Sequence, residues 1–240
     1  MNGGRDAALS EAFVELADTL VNRFDVVDLL HTLAARCVAL TDVDAAGLLV
    51  VDATGTLRVA SSSSEQVRLL ELFEVQHDEG PCLDCYRNRA IVAEEQLAHS
   101  HLWPRFRPVA LEAGFQSVYA VPMRLRDEVI GSLNLFRTKA GPLEPSQLAV
   151  CQALADVATI GILQEKSVRE AHLLAAQLQA ALDGRVVIEQ AKGVLAERAQ
   201  LGMPEAFELL RKYARSNNLL LVDVAEALIN GRLQESDLRR

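Results

Sequence analysis

The chain has 240 residues, half of them hydrophobic, and a formal charge of −9, so it holds enough apolar material for one large core or two smaller ones and is too acidic overall for an unspecific nucleic-acid binder. Its opening residues lack an apolar h-region, and no later stretch runs about 18 apolar residues without a charged or strongly polar group, which argues against export and membrane spanning; the expectation is a cytoplasmic protein. From Asp183 onward nine Lys/Arg balance nine Asp/Glu, so the acidic excess lies in residues 1–182 and the chain reads as two parts.

Residues 9–22 and 25–41 carry apolar residues at helical spacing, the second run opening with Asp25 as N-cap. The period then changes: Gly47 to Val51, a turn at Asp52 to Gly55, and Leu57 to Ala60 read as a hairpin. "EQVRLLELFEVQ" returns to helical spacing. After the Gly80-Pro81 punctuator come a short helix and a short strand around Ile91 to Ala93, then a loop with the single tryptophan, and the helical "FRPVALEAG". The strands "SVYAVPMRL" and "EVIGSLNLF" follow, joined at Arg126-Asp127. This order predicts an α+β domain, an antiparallel sheet with helices packed on one face.

From Pro145 the pattern is helical. Val168, Ala171, Ala175, Leu178 and Leu182 step by three or four, the seam of a coiled coil that needs a partner. After Asp183-Gly184 the stripe restarts in a new phase at Ile188, Ala191 and Leu195. Two more helices follow, one with Pro204 in its first turn and one over "LLVDVAEALI". The boundaries so read are 1–165, 166–182 and 183–240.

Several motifs carry a resemblance. "RVVIEQAKGVLAER", "EAFELLRKYARSNN" and "LVDVAEALI", in this order, resemble the ANTAR domain, the all-α three-helix RNA-binding module of bacterial antitermination regulators, with Ala191-Lys192-Gly193, Ala206-Phe207, Leu210-Arg211 and Val224-Ala225 falling on its pattern. Upstream, "EGPCLD", "WPRF", "GFQSVYAVPMR" and "VIGSLNLF" look like a GAF domain of the type that precedes ANTAR in actinobacterial proteins. The resemblance implies a ligand-responsive antiterminator that binds paired hairpins, a dual stem-loop, in nascent mRNA. It also implies a small-molecule effector, such as a cyclic nucleotide or cyclic dinucleotide, held by the GAF domain.

Arg185, Lys192, Arg198, Arg211, Lys212 and Arg215 form a basic cluster interrupted by four glutamates, with Asn217, Asn218 and Tyr213 able to hydrogen-bond or stack on unpaired bases. A solvated charged face and, for Tyr213, a place in the core are the competing readings. Gly193 sits mid-helix at a cost of about 1 kcal/mol relative to alanine. Either helix packing or close approach of a nucleic-acid backbone accounts for it. Candidate effector-binding residues are His77, Cys82, Tyr119, Arg124 and Asn134, each with a surface or capping role as the alternative.

Cys82 fits the GAF-like pattern and Cys85 departs from it, where a small residue is usual. The pair supplies two ligands where tetrahedral zinc wants four, so no metal is expected. A redox or metal sensor built on Cys82 and Cys85 stays open beside buried free thiols. No nucleophile elbow, P-loop or dinucleotide fingerprint occurs, and an enzyme is not expected. The coiled-coil seam predicts a homodimer. A DNA-binding regulator and a protein-interaction role for the helical part are the rivals.

Overall fold

A computed structural model describes residues 3–19 and 25–238. Contacts divide the chain into two compact units, with the division between Lys166 and Ser167.

The first unit opens with α1 (Gly3–Thr19) and α2 (Val26–Leu40). The last positions of the helix read over 9–22 lie outside the described residues. Asp25 caps α2 as its sequence suggests, its carboxylate accepting the Val27 N–H at 2.8 Å. The hairpin is β1 (Ala45–Val51) and β2 (Leu57–Ser62), closed by Asp52 Oδ1, which accepts from the Thr54 and Thr56 amides at 2.8 and 3.1 Å. Next come α3 (Glu65–His77), α4 (Pro81–Asn88), β3 (Val92–Glu94), a 3-10 turn (Leu97–His99) and α5 (Phe106–Glu112), followed by β4 (Ser117–Leu125) and β5 (Glu128–Arg137).

All neighbouring strands pair antiparallel in the order β2-β1-β5-β4-β3. Helices cover both faces of this sheet, not one. Against the first face, Ala46, Leu48, Val121, Leu133 and Leu135 pack with Ala12, Leu33 and Cys37 of α1 and α2 and with Cys151, Leu154 and Ala158. Against the second, Ala45, Val118 and Phe136 pack with Val67 and Leu70 of α3 and Phe106 and Ala110 of α5. The reason lies in the strands: β4 is buried without interruption from Ser117 to Met123, the pattern of a sheet covered on both sides. Trp103 lies in the second cluster, its ring edge-on to Phe106 at 6.1 Å and its indole N–H donating to Asp84 of α4 at 2.7 Å.

The helix α6 runs unbroken from Pro145 to Ala199, 55 residues, so the change of phase after Asp183-Gly184 falls within one helix. One helical glycine costs only about 1 kcal/mol, and a Cβ at Gly184 would come 3.6 Å from Val222, ordinary contact distance. An 18-residue window of α6 has a mean hydropathy of 1.5, and 39% of it is buried inside the protein; the buried share includes Leu154, Ala155 and Ala158 of the sheet-covering core. Farther along, Val168, Leu173, Leu174, Leu178, Leu182 and Val186 are all more than half exposed.

In the second unit, α6 ends with Gln200 at φ 52° and the Leu201 amide on the Ala196 carbonyl at 3.0 Å. Then α7 (Met203–Ser216), α8 (Leu221–Ile229) and the one-turn α9 (Glu235–Leu238) follow. Ala191 and Leu195 of α6, Ala206, Leu210 and Ala214 of α7, Val224, Ala225 and Leu228 of α8 and Leu238 make one core. That is the apolar stripe read from Ile188 onward, closed by its partners.

Candidate functional site

Of the five positions proposed for an effector, the fold brings two together. Asn134 on β5 and Cys82 at the start of α4 meet around a residue pair that hydropathy conceals, Glu71 and Glu74 of α3, both fully buried. The Asn134 amide Nδ2 donates to Glu71 Oε1 at 3.0 Å and to Glu74 Oε1 at 2.6 Å. Glu74 Oε2 accepts the Cys82 backbone N–H at 2.9 Å. Cys82 and Ser132 then tie α4 to β5: the Ser132 hydroxyl donates to the Cys82 carbonyl at 2.9 Å and the Cys82 thiol to the Ser132 carbonyl at 3.6 Å. Two acceptors in the cluster, Glu71 Oε2 and Asn134 Oδ1, are buried without a partner.

Two glycines make room for the carboxyl groups. A Cβ at Gly47 would stand 2.5 Å from Glu71 Oε1, and one at Gly80, where φ is 153°, would stand 2.4 Å from the Glu74 carboxyl carbon. Burial pushes Glu71 up to about 8, with the Asn134 hydrogen bond pulling the other way. Burial, then the neighbouring Glu71 charge, raises Glu74 well above the usual carboxylate range. Sequence reasoning passed over both residues because α3 is apolar on several sides, and acids there read as the solvent face. Gly47, Gly80 and Asn134, each odd in an apolar setting, were the available signals.

The other three positions lie elsewhere. Tyr119 faces the opposite side of the sheet, packed with α1 and α2, its hydroxyl accepting the Leu143 N–H at 2.7 Å and reaching the Gly141 carbonyl at 3.3 Å. Arg124 is exposed at the end of β4. His77 stacks on Phe73 at 3.9 Å, with Nδ1 3.0 Å from the Phe73 carbonyl.

All four cysteines are free and buried. Burial, then the nearby Glu71 and Glu74, pushes the Cys82 thiol well up, and burial, then Glu74, pushes Cys85 up to about 12. Both are therefore held as thiols, away from the thiolate that metal ligation and redox chemistry use. Among the described residues no group of three or more His, Cys, Asp and Glu is arranged to hold a metal ion.

In the second unit, Arg211, Lys212 and Arg215 line one open groove of about 890 Å³ on α7, with Leu201, Leu209, Glu205, Glu208 and Ser216. Arg211 is paired with Glu208 at 3.2 Å. On α6, Lys192 is largely covered: its Nζ lies 2.8 Å from Glu189 and 5.5 Å from the centre of the Phe207 ring. Arg185 and Arg198 are exposed. Nothing stands within 4 Å of a Cβ placed on Gly193, so helix packing does not explain that glycine. Asn217 caps α7, its amide donating to the Tyr213 carbonyl at 3.0 Å, and Asn218 takes the left-handed conformation, φ 52°, that ends the helix. Tyr213 is half-buried against the helical core.

The family model of the GAF domain matches residues 25–163 and that of the ANTAR domain residues 176–229. The chain is a GAF–ANTAR protein. The GAF domain is a ligand-sensing domain and the ANTAR domain an RNA-binding antitermination domain, so the protein is a regulator. Solved structures similar to it are GAF domains of low identity that share the fold. The GAF domain of an Acinetobacter phosphoenolpyruvate-protein phosphotransferase is 15% identical with a TM-score of 0.53, covering 70% of this chain and 98% of its own. That of the Coxiella burnetii phosphoenolpyruvate-protein phosphotransferase is 14% identical at 0.53, covering 68% and 98%. Free methionine-R-sulfoxide reductase from Neisseria meningitidis, solved with its substrate, is 15% identical at 0.52, covering 67% and 91%. No curated protein matches. GAF and ANTAR domains are sensory and regulatory types, although that reductase shows the GAF fold also serving an enzyme. Within the GAF domain, the Glu71–Glu74–Asn134 cluster lies between α3, α4 and the sheet; within the ANTAR domain, the basic groove lies on α7.

Proposed function

We propose that this protein is a cytoplasmic, homodimeric antiterminator whose ANTAR domain binds paired hairpins in nascent RNA under control of a small molecule held by the GAF domain. The observation that carries the reading is the groove on α7, where Arg211, Lys212 and Arg215 project over an apolar floor of Leu201 and Leu209. Cations engage phosphates and the apolar floor takes the face of an unstacked base, the combination that suits hairpin loops better than duplex DNA. Exposed Arg185 and Arg198 extend the cationic contribution, Asn217 and Asn218 stand at the end of α7, and Gly193 leaves the α6 surface open to close approach. Lys192, engaged with Glu189 and Phe207, contributes mainly by holding α6 to α7.

Dimerisation is supported by the exposed stripe from Val168 to Leu182, which covers itself by pairing with a second copy. Two ANTAR domains per dimer match two hairpins. Binding is measured with the full-length protein and an RNA carrying two adjacent short hairpins, against one hairpin and against duplex DNA, across a salt series. Selective binding to the paired hairpins, falling with salt at a slope of roughly −0.7 to −0.9 per phosphate contact, is the expected result. Equal affinity for duplex DNA, or none for RNA with and without effector, defeats the proposal.

A further inference from the structure

The buried acid cluster of the GAF domain carries more chemistry than its fold requires. Glu71 and Glu74 are fully buried acids on one face of α3, and the donors that reach them are the Asn134 amide and backbone N–H groups at the start of α4. Glu71 Oε2 and Asn134 Oδ1 remain without hydrogen-bond partners. What the cluster lacks is a cation. No Lys, Arg or His among the described residues hydrogen-bonds or ion-pairs with it; the titratable groups near the acids are the Cys82 and Cys85 thiols of α4, while β5 contributes the neutral Asn134 and Ser132. A purely structural role is poorly served by such an arrangement, since apolar side chains of similar volume are generally as stabilising as buried charges and leave no orphaned acceptor. Yet Gly47 and Gly80 keep the space beside these two carboxyl groups clear of any Cβ.

Building on the sensory reading of the GAF domain, we infer that Glu71, Glu74 and Asn134 form a recognition site for a small ligand bearing a protonated nitrogen, an amine or guanidine whose N–H groups donate to Glu71 Oε2 and Asn134 Oδ1. A bare metal ion fits less well, because among the described residues no three or more His, Cys, Asp and Glu are arranged to hold one. The cation replaces one of the two protons that neutralise the acid pair when the site is empty. Binding therefore releases a proton.

The test is calorimetric titration of the full-length protein with methylammonium, putrescine and agmatine at constant ionic strength, with tetramethylammonium as a cation of equal charge that has no N–H. At least one N–H probe is expected to bind at pH 8, with affinity weakening about tenfold for each pH unit below the titration of the acid pair, and tetramethylammonium is expected to give no heat. In Glu71→Gln, whose new amide can donate to Asn134 Oδ1, folding measured by circular dichroism is retained and probe binding is lost. If no N–H probe binds better than tetramethylammonium at pH 8, or if Glu71→Gln binds as the parent does, the inference is overturned. The readout is direct binding, so failure of the protein to bind RNA leaves this result unaffected, and a negative result here leaves the RNA reading standing.

Discussion

At the scale of single residues, the acid pair sets a pH dependence whose sign follows from burial. A glutamate raised to about 8 in the folded state keeps its proton over a range where the unfolded chain has lost it. Its stabilising contribution is fully present below the ordinary glutamate range and is lost as pH rises through about 8. The thermal midpoint of the GAF domain therefore falls between pH 5 and pH 9, and Glu71→Gln flattens that fall; a midpoint that climbs with pH contradicts the assignment. Gly193 offers a second prediction. With open space where its Cβ would stand, Gly193→Ala stabilises the ANTAR domain by about 1 kcal/mol in thermal unfolding. If the glycine serves RNA approach, the same variant loses RNA affinity, and a variant that gains stability with unchanged affinity removes the functional reason. Hydropathy could not reveal the acid pair, because α3 exposes Leu69 while burying Glu71 and Glu74, the reverse of what residue type suggests. The basic residues of α7 were legible as a cluster, whereas the partners of Lys192 and Arg211 depend on side-chain placement that spacing alone does not give.

At the scale of elements, the strands and most helices follow from periodicity, and two features do not. Helices cover both faces of the sheet because β4 and β5 are buried on both sides, and the near-continuous apolar run of residues 118–123 is the sequence signature of that two-sided burial, which the expectation of helices on one face overlooked. The continuity of α6 through Asp183-Gly184 was hidden because Gly followed by a phase shift resembles a helix end, while a helix interior tolerates one glycine at modest cost. The exposed stripe on α6 gives a direct prediction. Placing lysines at Leu178 and Leu182 sets like charges across the seam, so the double variant sediments as a monomer where the parent sediments as a dimer, with helicity by circular dichroism retained. A parent that is itself monomeric at micromolar concentration, or a double variant that stays dimeric, places the interface elsewhere.

At the scale of the whole molecule, the proposed function links the sensory and RNA-binding domains through a coupling free energy between their ligands. The N–H probe that binds the acid cluster is expected at saturation to change the Kd for the paired-hairpin RNA by a factor between about 5 and 150, the usual span of such couplings, and RNA changes that probe's Kd by the same factor. A factor of one means that the two domains work independently. The charge asymmetry visible in the sequence accords with this division, since the acidic excess stays with the sensory domain and leaves the RNA-binding domain balanced. The single tryptophan of the chain adds a practical consequence. Trp103 is nearly enclosed and hydrogen-bonded to Asp84 on α4, the helix whose first turn also meets Glu74. Its emission is therefore an internal optical gauge: a blue or red displacement of the fluorescence maximum reports how tightly α4 is seated, in native protein, with no dye attached.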